Sequence, residues 1–176
     1  MPTYFNYFPK IYYDAVGQGN YKEVTHLLRR VQIKKGLIDT GTFFDEYVVQ
    51  AGDTPEIVSE KFYGSNEYYW VILLINNIKD RYYDWPLPQY DFEQYVNDKY
   101  DNPNGVHHYE ASQSSGATSS YDRSHLIQVN SDYPNASVVT NYEYEQREQE
   151  KKSRIRMLRP ELLSVFVEEF KTLLVD

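Results

Sequence analysis

The sequence predicts an α+β fold: a small strand–helix–helix unit embedded in a chain that opens with an extended aromatic segment, continues through short strands and ends in an amphipathic helix. Short apolar runs bounded by turn residues dominate. The triplet Thr54-Pro55-Glu56 marks one helix start, and Leu162, Leu163, Phe166, Val167, Phe170, Leu173 and Leu174 recur at helical spacing near the end. At 176 residues the chain holds one domain or two small ones.

In residues 4–13 aromatic side chains crowd around Pro9, which fits an extended or edge strand because proline breaks a helix. Gly17, Gly19 and Asn20 mark a turn. Val24, Leu27, Leu28 and Val31 then follow helical spacing, which predicts a helix that fades toward Ile33 and ends at Gly36. Phe44, Tyr47, Val48 and Val49 read as a strand, and Ala51-Gly52-Asp53 as the turn after it. Thr54 is placed to accept orphan backbone N–H groups as N-cap, Pro55 suits the first helical position, and Glu56 lies at the positive end of the helix dipole. Val58 and Phe62 give this helix its buried stripe and Gly64 stops it. Ser65 or Asn66 caps a second helix with Trp70, Leu73 and Asn77 along one face, and a second strand is expected next.

Farther on, residues 91–99 form a short amphipathic helix carrying Phe92, Tyr95 and Val96. Residues 111–120 are polar and of low complexity, and read as a flexible loop. Strands are expected at 126–129, 138–140 and 154–158, with a charged helical or coil segment over 143–152. Pro160-Glu161 opens the last helix, whose stripe is broad enough for two neighbours. The resulting parts are 1–42, an aromatic segment and helix; 43–88, the central module; 89–110, a short helix and extension; 111–122, the loop; and 123–176, the C-terminal strands and helix.

Composition excludes several functions. With no cysteine, disulfide scaffolds, thiolate metal sites and cysteine nucleophiles are absent. Eighteen Lys and Arg against 26 Asp and Glu leave a net charge of -8, and mean hydropathy is -0.69. Residues 1–38 hold six basic and two acidic side chains, 39–110 four and fourteen, and 111–176 eight and ten. The acidic middle disfavours phosphate-backbone binding, and the basic N-terminal stretch reads as a solvated face or protein contact. No apolar run approaches the roughly 20 residues of a membrane span. The N-terminus lacks signal-peptide features, so the expected location is the cytoplasm where the chain is made. Nineteen tyrosines are the anomaly. They suit protein interfaces, or stacking on sugar rings, and composition leaves both open.

No catalytic set emerges. Asp45, Glu46, Asp53 and Glu56 cluster in sequence, but a glycosidase needs two carboxylates about 5–10 Å apart across a cleft, and surface charge with helix capping explains these four. His26, His107, His108 and His125 lack zinc-site spacing, and adjacent histidines on a regular element point apart. Neither a phosphate-cradling glycine loop nor a serine elbow is present. The expectation is a non-enzyme without metal or cofactor.

Tyr47-Val48-Val49-Gln50-Ala51-Gly52-Asp53-Thr54, then Val58, Phe62-Tyr63-Gly64, Trp70, Leu73 and Asn77, resemble a LysM module, a small βααβ unit that binds N-acetylglucosamine polymers. The resemblance covers 47–78. It departs after that, where a strand with a Gly, a Leu and an Ile-Pro ending is replaced by Asp80-Arg81-Tyr82-Tyr83-Asp84-Trp85-Pro86-Leu87-Pro88. A wider resemblance adds Tyr4-Phe5-Asn6-Tyr7-Phe8-Pro9-Lys10-Ile11, Tyr83-Asp84-Trp85-Pro86-Leu87, Tyr100-Asp101-Asn102-Pro103, His107-His108-Tyr109 and Arg154-Ile155-Arg156-Met157-Leu158-Arg159-Pro160. In that order these motifs are similar to the gene product fifty-three family of baseplate wedge proteins from contractile-tailed, T-even-type phages. That resemblance implies a structural virion protein of the tail baseplate, assembled in the host cytoplasm, that joins neighbouring wedges around the central hub.

Its implied partners are other wedge and hub proteins, with no nucleic acid and no membrane. The alternative is a LysM-type module binding peptidoglycan at the cell wall. If the LysM-like groove is used, Gly52, Asp53, Thr54, Asn77 and Ile78 are its ligand residues. Partner contacts are expected at Tyr4, Phe5, Tyr7, Phe8, Tyr83, Trp85, Phe166 and Phe170.

Overall fold

The computed structural model describes residues 4–33, 42–113 and 125–175. They form a mixed α+β structure in two compact units. One unit draws on both ends of the chain, up to Trp85 and from Ser153 onward; the other is the continuous stretch Pro86–Lys152.

The first unit opens with a 3-10 turn, Tyr4–Tyr7, and an antiparallel hairpin of β1 (Lys10–Tyr13) and β2 (Lys22–Thr25), with Ile11 opposite Val24. The helix expected from Val24, Leu27, Leu28 and Val31 does not form. The reason lies in the preceding loop: the Asp14 carboxylate accepts the amides of Val16, Gly17 and Gly19 at 3.1, 2.9 and 2.6 Å, and both glycines take positive φ. The chain is thereby folded back, which supplies residues 22–25 with a strand partner. A helix here would also have little to bury, since Val24, Leu27 and Leu28 are all exposed.

β3 (Phe44–Val48) leads into α1 (Pro55–Tyr63), a 3-10 turn (Asn66–Tyr68) and α2 (Tyr69–Ile75). The capping expectations hold: Thr54 Oγ1 accepts the Ile57 amide at 3.3 Å, Gly64 ends α1 in the left-handed region, and Ser65 Oγ accepts the Glu67 amide. The expected second strand does not follow. Residues 80–84 turn instead, with the Asp84 carboxylate accepting the Lys79 and Asp80 amides. The antiparallel partner of β3 is β7 (Arg154–Leu158), Phe44 lying opposite Leu158 and Val48 opposite Arg154. Residues 80–88 are charged and proline-punctuated, whereas β7 alternates exposed Arg154 and Arg156 with buried Ile155 and Met157, the pattern a one-sided strand requires.

The apolar sequence of α2 is explained by burial on several sides. Trp70, Val71 and Ile75 pack with Phe8, Leu158, Val167, Phe170 and Leu174, while Ile72 joins Val58, Trp85, Ile155 and Met157. Each such side chain stabilises the unit by about 1.5–3 kcal/mol when fully buried. Asn76 fastens α2 to the free edge of β7: its side-chain amide donates to the Arg156 carbonyl at 2.8 Å and accepts the Arg156 amide at 2.8 Å. This closes one rung of an otherwise open strand edge. The last helix, here α5 (Leu163–Val175), follows the turn Pro160–Leu162 and contributes Val167, Phe170 and Leu174 to the core.

The second unit holds α3 (Gln89–Lys99), a three-stranded antiparallel sheet in the order β5 (Leu126–Val129), β4 (Val106–Ser112), β6 (Ser137–Thr140), and α4 (Asn141–Ser153) up to its last residue. Ala111 and Ser112 belong to β4, so the polar stretch starts as strand; residues 114–124 lie outside the described ones. Phe92, Val96, Ala111 and Val139 are its buried apolar side chains. Ion pairs supplement this small core. Buried Glu145 accepts from Lys99 Nζ at 2.7 Å and Tyr100 Oη at 2.8 Å. Glu110 accepts from Arg147 at 2.7 Å. Among the described residues no helix is long and apolar enough to cross a membrane.

Candidate functional site

The Gly52-Asp53-Thr54 turn is built from three directions. Gly52 takes φ 85, a conformation that penalises any side chain, yet no atom crowds the position a Cβ would occupy. Asp53 is buried beneath the turn. One carboxylate oxygen accepts the Tyr47 hydroxyl at 2.6 Å and the Gln50 amide at 3.1 Å; the other accepts Lys61 Nζ at 2.6 Å. Its main-chain carbonyl receives the Trp85 indole N–H at 2.9 Å. Burial by itself would raise the Asp53 pKa, but the hydrogen bonds from Lys61, Tyr47 and the Gln50 amide outweigh it and hold the carboxyl below its ordinary value. The same bond to Asp53, aided by desolvation, pushes the Tyr47 hydroxyl up to about 12. Asp53 thus ties β3, α1 and the 79–85 turn together, and both of its carboxylate oxygens are committed to that task.

Asn77 and Ile78 sit elsewhere. Asn77 is exposed with φ 52, and the Ile78 amide donates to the Leu73 carbonyl at 2.9 Å. Both line a cleft of about 340 Å3 together with Tyr4, Arg29, Arg30 and Lys79. Gly52, Asp53 and Thr54 are not among the residues lining that cleft, so the five ligand candidates fall into two separate groups.

The aromatic candidates also divide. Phe8, Trp85 and Phe170 are buried within the unit; Tyr4, Tyr7 and Phe166 are half-buried around Trp70, whose ring lies 4.5 Å from Phe170 and 5.3 Å from Tyr4; Phe5 and Tyr83 are exposed. Exposed aromatic and aliphatic side chains gather on the hairpin and its flanks, and Tyr82 and Tyr83 add a second exposed pair in the 79–85 turn. Tyr12 is 74% exposed, Val16 73% and Leu28 88%, and no residue of β1 or β2 is buried. The partner contacts expected from the sequence do not include Tyr12, Val16, Tyr21 or Leu28, and the spacing of the last suggested a helix face. The Asp14-to-Gly19 loop was the signal that would have placed them.

Three of the four clustered carboxylates face cations: Asp45 lies 3.3 Å from Arg159, Asp53 is held by Lys61, and Glu56 lies 2.9 Å from Arg81. The adjacent histidines do not point apart as a regular strand requires. A register irregularity in β4 between Val106 and His108 brings the Nδ1 atoms of His107 and His108 to 2.7 Å. His108 Nε2 lies 3.0 Å from Glu110, and the His107 ring stacks on Tyr144. Among the described residues no three His, Asp or Glu side chains form a group able to hold a metal ion.

The family described as base plate wedge protein 53 matches this chain over residues 3–122, a span that includes the hairpin, the Asp53 turn and the cleft residues from Tyr4 to Lys79. No curated protein matches it.

Proposed function

The chain belongs to the base plate wedge protein 53 family, and on that premise we propose that it is a structural component of a phage tail baseplate wedge. In this reading it joins neighbouring wedges around the central hub through protein–protein contacts and performs no catalysis. It sits in the tail baseplate of the virion and is assembled there in the host cytoplasm. Other wedge and hub proteins are its partners, rather than nucleic acid or a membrane.

The observation that carries the reading is the hairpin inside the matched span. An isolated two-stranded hairpin is marginal in water, and a contiguous exposed apolar surface on a folded chain marks an interaction site. Here Ile11, Tyr13 and Val24 share one face of the strand pair and Tyr12 lies on the other, none of them buried, next to the exposed Tyr21 and Val16. The loop joining the strands is held by Asp14, so the surface is preorganised and little order remains to be imposed on binding.

The test is assembly of particles without this chain. Wedges should then accumulate unjoined; particles with normally joined wedges would refute the proposal. Retention of the purified chain on peptidoglycan, without co-purifying tail proteins, would favour glycan binding instead. The committed Asp53 carboxylate speaks against that outcome.

A further inference from the structure

We infer that the cleft bounded by Arg29, Arg30 and Lys79 is a docking site for a partner segment in which acidic and apolar side chains alternate. The inference rests on the protein-binding reading above and names the chemistry of a second contact, distinct from the hairpin.

Charge is the first argument. The chain carries 26 acidic residues against 18 basic ones, yet among the described residues three cations and no carboxylate line this cleft. Arg29 donates to the Leu174 carbonyl at the end of α5, which fixes its guanidinium while leaving the charge in place. The side chains of Arg30 and Lys79 have no hydrogen-bond or ion-pair partner among the described residues, although most of the other described cations are paired with carboxylates. Two free cations beside a third make a local field that selects a carboxylate ligand.

Shape and polarity supply the second. Leu73, Leu74 and Ile78 give the cleft an aliphatic lining beside the cations, and the exposed Asn77 carboxamide lies at its rim with both donor and acceptor capacity. At about 340 Å3 the space is at the small end of ligand sites. It suits a short peptide stretch, one apolar side chain against the leucines and flanking carboxylates on Arg30 and Lys79. A nucleic-acid strand needs a longer basic track than three residues supply, and the net charge of -8 opposes it.

The test uses the full chain and a fluorescein-labelled peptide of alternating aspartate and leucine, read by anisotropy. Alongside it run an asparagine–leucine peptide of equal length and a thymidine oligonucleotide. Binding of the aspartate peptide is expected, weakening as salt rises, with a loss of roughly tenfold or more in the double variant Arg30→Glu, Lys79→Glu. Because both side chains are exposed and unpaired, that variant should unfold thermally like the parent.

Absence of binding, equal binding of the asparagine peptide, tighter binding of the oligonucleotide, or undiminished binding by the double variant would each overturn the inference. So would normal wedge joining by the double variant, a result that leaves the wedge reading intact. The wedge reading fails on a different outcome, normal joining without the chain, to which the peptide measurement is indifferent.

Discussion

Two strand pairs in this protein have the same topology and opposite surroundings. β3 and β7 are antiparallel and backed by α2, with Ile155, Met157 and Leu158 buried. β1 and β2 are also antiparallel, carry comparably apolar residues, and bury none of them. The first pair is the seam that closes the fold. The second is closed at its base by the bond from the His26 amide to the Pro9 carbonyl, and the adjoining Phe8 is buried in the core. Aromatic residues therefore have two uses here: rings that complete the core, such as Trp70 and Phe170, and rings that folding leaves over. Those left over form the surface proposed above for wedge joining.

Breaking the buried side of this comparison should have the largest effect. Trp70→Ala removes a ring that is 3% exposed and lies between Phe170, Tyr4, Tyr7 and Phe166. It is expected to cost about 3–5 kcal/mol in urea unfolding followed by circular dichroism. Asp53→Ala should cost about 2 kcal/mol, because Tyr47, Lys61 and the Gln50 amide lose their common acceptor. Trp85, which donates to the Asp53 carbonyl, reports that loss by fluorescence.

A pH titration sharpens the same point. Asp53, Glu110 and Glu145 all have folded-state pKa values below their ordinary ones; for each, burial acts in the raising direction and is outweighed by donated hydrogen bonds. Between the ordinary carboxylate pKa near 4 and the lower folded value, the unfolded chain binds more protons than the folded one. Stability from these groups is therefore complete above the ordinary value and is lost as pH falls through the folded one. Asp53→Asn should flatten that acid limb as well as lower stability at neutral pH. The smallest effect is expected on the bare strand pair: Tyr12→Ser with Tyr21→Ser should leave stability within about 0.5 kcal/mol.

Local chemistry made much of the fold legible. Thr54, Pro55 and Gly64 announced the ends of α1, the spacing from Leu162 to Leu174 announced α5, and the alternation of Arg154 to Leu158 announced β7. The partner of β7 was not legible, because pairing 44–48 with 154–158 depends on contacts between parts of the chain separated by the whole second unit. β4 escaped because its half-buried side chains include His108 and Glu110, polar residues satisfied by the contact between them and by Arg147 instead of an apolar stripe. The Gly52-Asp53-Thr54 turn was visible as a turn, but its use of Lys61, Tyr47 and Trp85 was not. Asn76 was passed over for Asn77 because nothing in the sequence distinguishes the amide that meets β7 from its exposed neighbour. The cleft cations were likewise hidden, since Arg30 and Lys79 are brought together only by the fold.

The most direct test of the central claim is wedge joining by the chain bearing Tyr12→Ser and Tyr21→Ser, scored by electron microscopy of assembling baseplates. The account predicts a folded protein, with unfolding unchanged, that leaves wedges unjoined. Normal joining by that folded variant would contradict it.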